Sequence, residues 1–390
     1  MIRLRSRSVA LALCLATASS CADIATKPRA EVEVNGVVYA RNGAPLAGAT
    51  VGFFVPVTLS PIPGGPVPPP PVFSHAARAV GPSVVTTDAQ GRYSTSLPAA
   101  TYEVWIGGVA DSGFFPLHVI DVVLHPPVTS VPIHYPGYRV TGTIRGPGVV
   151  PLAAGNIAVW GNYNGTQSGV ENGHYTFLLP RGTYSFSVNP QVADEGVPRI
   201  TFPGIEVAAD TTIDFAVDGN RVEGTVTGPG GTPLSGAYVD ASSINVSATS
   251  ETAADGTFQL YLPSREYRFY VAAGQSYIAT RTLGSVLVTA PMTLDFDLSG
   301  AEWTGTVRNA ATGLGVSGID LSAFGRKLLS SSYATTSTAT DGSFRLVLER
   351  GTRYDLAVAP LDPQAPFVVF RSVLAGNDST FDILLAPPAP

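Results

Sequence analysis

"TAADGTFQLYLPSREYRFYV", Thr252–Val271, is the stretch that decides the fold. Asp255-Gly256 is a pair that reaches positive φ at little cost, as a tight turn requires. After it, Phe258, Leu260 and Leu262 alternate with Thr257, Gln259 and Tyr261, the period of two of a half-buried strand. Pro263-Ser264 breaks that run. A second alternation follows, Tyr267, Phe269 and Val271 against Arg268 and Tyr270. The stretch reads as a turn, a strand, a turn and a Tyr-led strand, the central hairpin of a β module.

The same phrase occurs three more times: "TDAQGRYSTSLPAATYEVW" (Thr87–Trp105), "ENGHYTFLLPRGTYSFSV" (Glu171–Val188) and "TATDGSFRLVLERGTRYDLAV" (Thr338–Val358). From the turn glycines Gly91, Gly173, Gly256 and Gly342 to Tyr102, Tyr184, Tyr267 and Tyr354 the spacing is 11, 11, 11 and 12 residues. Each copy is preceded by a second shared phrase. Its opening glycines, Gly36, Gly142, Gly224 and Gly305, are equivalent at steps of 106, 82 and 81 residues. Fixed spacing over four copies marks a tandem repeat. No helical period is visible between Val32 and Leu385, and several short strands with frequent turns indicate a β-sandwich. The expected architecture is all-β: four tandem Ig-like sandwiches at 32–136, 137–219, 220–300 and 301–386. The linkers "HYPGYRV", "VDGNRV" and "LSGAEW" leave little slack, so a semi-rigid array is expected.

The chain has 390 residues, 45% of them hydrophobic, enough to bury several cores. Arg3, Arg5 and Arg7 precede an apolar run, Val9–Ala18, that is too short to span a bilayer. Residues 1–20 therefore read as a signal peptide and 21–31 as a tether. With Cys14 in the signal, only Cys21 remains, and no internal disulfide can form. Each sandwich must then be held by its own apolar core. Loss of the three signal arginines leaves 20 basic and 29 acidic residues, the wrong sign for nucleic acid.

Two resemblances follow from these residues. "ASSC", Ala18–Cys21, is similar to the lipobox of bacterial lipoproteins, with Ala18 where that motif usually has Leu. The resemblance implies a lipid on Cys21 and a partner in the membrane, on the cell envelope; export to the periplasm or medium is the alternative. The pattern "G-x-V…G-x-P-L-x-G-A-x-V…T-x-x-x-G-x-[FY]…L-P-x-x-x-Y" resembles the carboxypeptidase regulatory-like domain, a prealbumin-like seven-stranded sandwich related to Cna-B-type modules. It extends over residues 35–386. Repeat 2 departs from it by lacking the Thr, and repeat 4 by replacing the Pro-Leu phrase with "TGLGVSG". Family members are non-catalytic appendages, some of them on secreted peptidases, or tandem surface arrays.

Repeat 1 carries an insert at about 56–80 that includes "PVTLSPIPGGPVPPPPVF" (Pro56–Phe73), a composition that favours polyproline II or disorder. Catalytic motifs are absent. None of the five histidines begins a His-x-x-Glu, and there is no Ser elbow, P-loop or HExxH. His118, His125 and His134 follow no ligand spacing, and no cofactor is expected. Trp303 aligns with Val34, Val140 and Val222 and is assigned to the core. Trp105 and Tyr270 fall on outward positions and are the candidate ligand contacts, since an exposed ring can stack on a sugar face. The function expected is a non-enzymatic structural or adhesive role with an extracellular protein as partner, and carbohydrate binding as the alternative.

Overall fold

In the computed structural model, which describes residues 30–55, 83–108, 112–161, 164–191, 196–326, 332–361 and 367–386, each repeat is built on one plan. The signal peptide, Cys21 and the proline-rich insert lie outside the described residues. Repeat 3 serves as the example. Its first strand is Asn220–Thr227, its second Tyr238–Ser243, its third Val246–Glu251 and its fourth Thr257–Leu262. The fifth is Arg265–Ala272, the sixth Arg281–Val288, and a broken seventh comprises Met292–Thr293 and Phe296–Asp297.

These strands form two sheets. One has the order fourth–first–seventh, with the seventh parallel to the first; the other has the order third–second–fifth–sixth. Repeats 1, 2 and 4 repeat both orders, and in repeat 2 a single pair, Glu171 with His174, joins the two sheets. The protein is a series of four tandem β-sandwiches, with no α-helix among the described residues.

One expectation is corrected. The fourth and fifth strands do not form a hairpin, because they belong to opposite sheets. Leu260 and Phe269 are both fully buried, one on each sheet, where a hairpin would have set them on one face. The turn between the strands is therefore a corner. Tyr267 closes it by donating its hydroxyl to the Pro263 carbonyl at 3.0 Å. Tyr102 and Tyr184 do the same to Pro98 and Pro180, an arrangement of the tyrosine-corner kind. In repeat 4, Glu349 stands in place of the proline and Tyr354 comes one residue later. Its hydroxyl meets Ser332 Oγ at 2.6 Å and accepts the Glu349 N–H at 3.1 Å.

The other shared residues have equally local causes. Gly256 has φ of 78°, as its position after Asp255 predicted. Gly224 lies where the seventh strand is interrupted, and the chain passes directly over it. A Cβ there would stand 2.0 Å from the Leu294 carbonyl oxygen. The equivalent distances at Gly36, Gly142 and Gly305 are 2.1, 1.8 and 1.7 Å, so a bare Cα is a condition of the fold in every repeat. The recurrent Thr is a clamp. Thr252 Oγ1 accepts the Ala237 N–H and donates to the Leu234 carbonyl, and Thr87 and Thr338 tie the same turn. Repeat 2 has Gly169 at this position.

Repeats 1 and 4 each enclose an apolar cluster, whereas one cluster runs continuously through repeats 2 and 3. The three junctions are made alike. The segment before the sixth strand of one repeat inserts against the fourth strand of the next. Gly113 O accepts from Leu178 N at 3.0 Å, Gly196 O from Tyr261 N at 2.9 Å, and Tyr277 O from Val347 N at 2.8 Å. Leu178, Tyr261 and Val347 all stand five residues after their turn glycine; the equivalent in repeat 1 is the exposed Ser96. At the first junction the buried Tyr135 hydroxyl also donates to the carbonyls of Phe115 and Leu178, at 2.7 and 2.9 Å.

Candidate ligand-binding face

At the second junction the outer sheets of two repeats become one. The sixth strand of repeat 2, Arg199–Val207, pairs antiparallel with Val246–Glu251 of repeat 3, Arg199 opposite Ser247 and Ile200 opposite Val246. Ile200 and Val246 are both buried. A slip of one residue would turn one of the two outward, so the register is held by core packing. It also decides what faces solvent. Asn156 and Trp160 come from the second strand of repeat 2, Asn189 from its fifth, and Arg199, Ser247 and Thr249 from the seam. They line a cleft of about 530 Å³ between the two repeats.

Within the cleft, Asn189 is held by its neighbours. Its Nδ2 donates to Asn156 Oδ1 at 2.7 Å and to the Ser187 carbonyl at 3.2 Å. Thr201 donates to Ser187 Oγ at 3.2 Å behind it. Trp160 is 46% exposed, although it is the largest side chain on this face. Its ring lies over the bare Cα of Gly165, where a methyl group would stand 2.6 Å from Cδ1. No carboxylate, histidine or cysteine lines the cleft among the described residues, and the residues that do line it offer apolar contact and hydrogen bonding. Among the described residues no group of three His, Cys, Asp or Glu is placed to hold a metal ion, and no helix is long and apolar enough to cross a membrane.

The sequence-assigned aromatics occupy equivalent positions in different repeats, three residues after the corner tyrosine. Trp105 is half-buried opposite Gly52. Its Nε1 donates to Glu103 Oε2 at 3.4 Å, and its ring centroid is 5.6 Å from that of His118. Tyr270 is half-buried opposite Asp240 and Thr282, and burial pushes the Asp240 carboxyl above its ordinary range. Tyr270 shares the joined face with Trp160, five strand spacings or about 24 Å away. The two sequence-assigned residues are not gathered into one site.

Trp160 is the residue that sequence reasoning missed. The signal was present in "NIAVW": Ile157 and Val159 alternate inward, which turns Ala158 and Trp160 outward. The three histidines of repeat 1 go separate ways. His118 bonds Asp121 at 2.9 Å, the backbone of His125 bonds Thr129, and His134 stacks on Tyr39 with centroids 5.1 Å apart. Trp303 is buried, edge-on to Phe381.

No family model matches the sequence, and no curated protein matches it. Solved structures do resemble the fold. A streptococcal ancillary pilin aligns over 65% of this chain and 99% of its own, at 13% identity and a TM-score of 0.22. The Bacillus anthracis TIE protein aligns over 98% of this chain and 79% of its own, at 11% identity and a TM-score of 0.21. The shaft pilin SpaA of Lactobacillus rhamnosus GG aligns over 44% of this chain and 98% of its own, at 15% identity and a TM-score of 0.23. Similarity at this level carries no function across. The fold assignment rests on the strand pairing itself.

Proposed function

We propose that this chain is a non-catalytic surface protein whose four sandwiches, at 32–136, 137–219, 220–300 and 301–386, act as a semi-rigid stalk with a structural or adhesive role. A lipid on Cys21 holds the stalk to a bacterial envelope. The observation that carries this reading is the junction, made three times by the same backbone insertion rather than by a loose linker. Domains joined by flexible connections move independently by default, unless the interface between them is large and apolar. Here each junction combines main-chain hydrogen bonds, worth about 1 kcal/mol apiece, with apolar contact across the boundary. Phe115 of repeat 1 packs in the cluster of repeats 2 and 3, and Leu178 of repeat 2 packs in the cluster of repeat 1. Ala279 and Val347 cross the third boundary in the same reciprocal way.

A pair of spin labels tests the stalk. Exposed Glu171 and Glu266, in repeats 2 and 3, are replaced by labelled cysteines in the processed chain carrying Cys21→Ser. Pulsed electron spin resonance should give one narrow distance distribution. A broad distribution, no sharper than that of a flexible tether, would end the stalk reading.

A further inference from the structure

We propose that the cleft between repeats 2 and 3 binds a neutral polysaccharide, with one pyranose ring stacked on Trp160 and its hydroxyls bonded by Asn156, Asn189 and Thr249. This goes beyond the stalk reading and does not depend on it, because a flexible chain could carry the same cleft within one pair of repeats.

Three features of the cleft carry the inference. First, an indole left 46% exposed beside a cavity of about 530 Å³ presents an apolar surface that a ligand with an apolar face would cover favourably. The ring is seated on Gly165, so its position is set before any ligand arrives. Second, apart from Arg199 the polar groups around it are amides and hydroxyls, which between them donate and accept as sugar hydroxyls do; Asn189, its Nδ2 already bonded to Asn156 and Ser187, offers its Oδ1 as an acceptor. This order lowers the entropy lost on binding. Third, the backbone at the seam is paired on both sides: Ile200 stands between Val188 and Val246, so this point offers no free edge to an extended peptide.

The lining selects the class of polysaccharide. Among the described residues Arg199 is the single charged one lining the cleft. A lone exposed guanidinium, screened by salt within about 8–10 Å, gives an acidic polymer little to hold along its length, so the amides and hydroxyls set the preference.

The test uses the processed chain and its three tryptophans, of which Trp303 is buried and Trp105 half-buried. Cellopentaose, chitopentaose, laminaripentaose and pentagalacturonate are titrated to millimolar concentration, with iodide quenching of tryptophan emission as the readout. A neutral member should protect the accessible tryptophan. Trp160→Ala removes that reporter, so its binding is read by titration calorimetry, where it should be weaker by about tenfold or more. Asn189→Ala, which leaves the indole in place, should weaken binding while the melting temperature stays close to that of the unmodified chain. Trp105→Ala should bind as the unmodified chain does. Failure of every neutral glycan to protect, unchanged binding by both cleft variants, or binding of pentagalacturonate alone would each overturn the proposal.

Discussion

Replacing Gly224 with alanine puts a methyl carbon 2.0 Å from the Leu294 carbonyl oxygen and 2.6 Å from its carbonyl carbon. Neither atom can yield as a side chain does, because both belong to the backbone that crosses the first strand. On one flank the Leu294 N–H is bonded to Glu223 O at 2.8 Å. On the other, the Phe258 ring stands 3.1 Å from the new methyl. The seventh strand must move outward by roughly 1 Å, which strains the packing by about 1–3 kcal/mol. Weakening the Leu294 hydrogen bond adds about 1 kcal/mol, for a total near 3 kcal/mol. A repeat of this size has roughly 4–12 kcal/mol of stability in all, so the substitution removes a large share.

Calorimetry of the processed chain reads both the size of this loss and how far it spreads. Repeats 2 and 3 share one cluster and one ladder, so they should unfold together. For a cooperative unit of roughly 160 residues, 3 kcal/mol lowers the melting temperature by about 6–12 °C, whereas a lone repeat would fall by about 12–24 °C. The displaced transition should carry about half of the total unfolding heat, because that heat scales with residue number. A shift below about 2 °C would refute the argument that the crossing needs a bare Cα. A displaced peak with only about a quarter of the heat would refute the coupling of repeats 2 and 3.

Two further outcomes can be checked on the same chain. Thr252→Val leaves the Ala237 N–H and the Leu234 carbonyl without their partner in a buried turn, and should cost about 2–4 kcal/mol, read as a lower urea midpoint; an unchanged midpoint would mean that the turn finds other partners. Cys21→Ala should move the full-length protein from the membrane fraction to the soluble fraction, since each buried methylene of an acyl chain contributes about 0.8 kcal/mol; an unmodified mature N-terminus by mass spectrometry would remove the lipid from the account.

Much of the fold was legible because its causes are local. The alternation in Thr257–Leu262, the positive φ at Gly256 and the four equivalent glycines were visible in residue types and spacing, and the strands occur where that pattern put them. The corner was misread as a hairpin for a definable reason. A period of two says which side chains are buried but not which sheet holds them. The hydroxyl bond from Tyr267 to Pro263, four residues earlier, is what distinguishes a corner from a hairpin turn. Similarly, the outward position of Trp105 and Tyr270 could be read, but not that Glu103 and His118 attend the one and Asp240 the other.

The sequence by itself determined that this chain is a tandem of four β units with fixed turns, because each unit depends on contacts its own residues specify in order. Only the tertiary structure decided how the units meet. Arg199 and Ser247 stand 48 residues apart, and nothing in either segment marks the other as its partner. Their pairing follows from two buried neighbours, Ile200 and Val246, that must both face inward across the boundary. The cleft beside Trp160 is a by-product of that register. A surface made by the edges of two repeats has no period of its own, so it could be found only once the edges had been brought together.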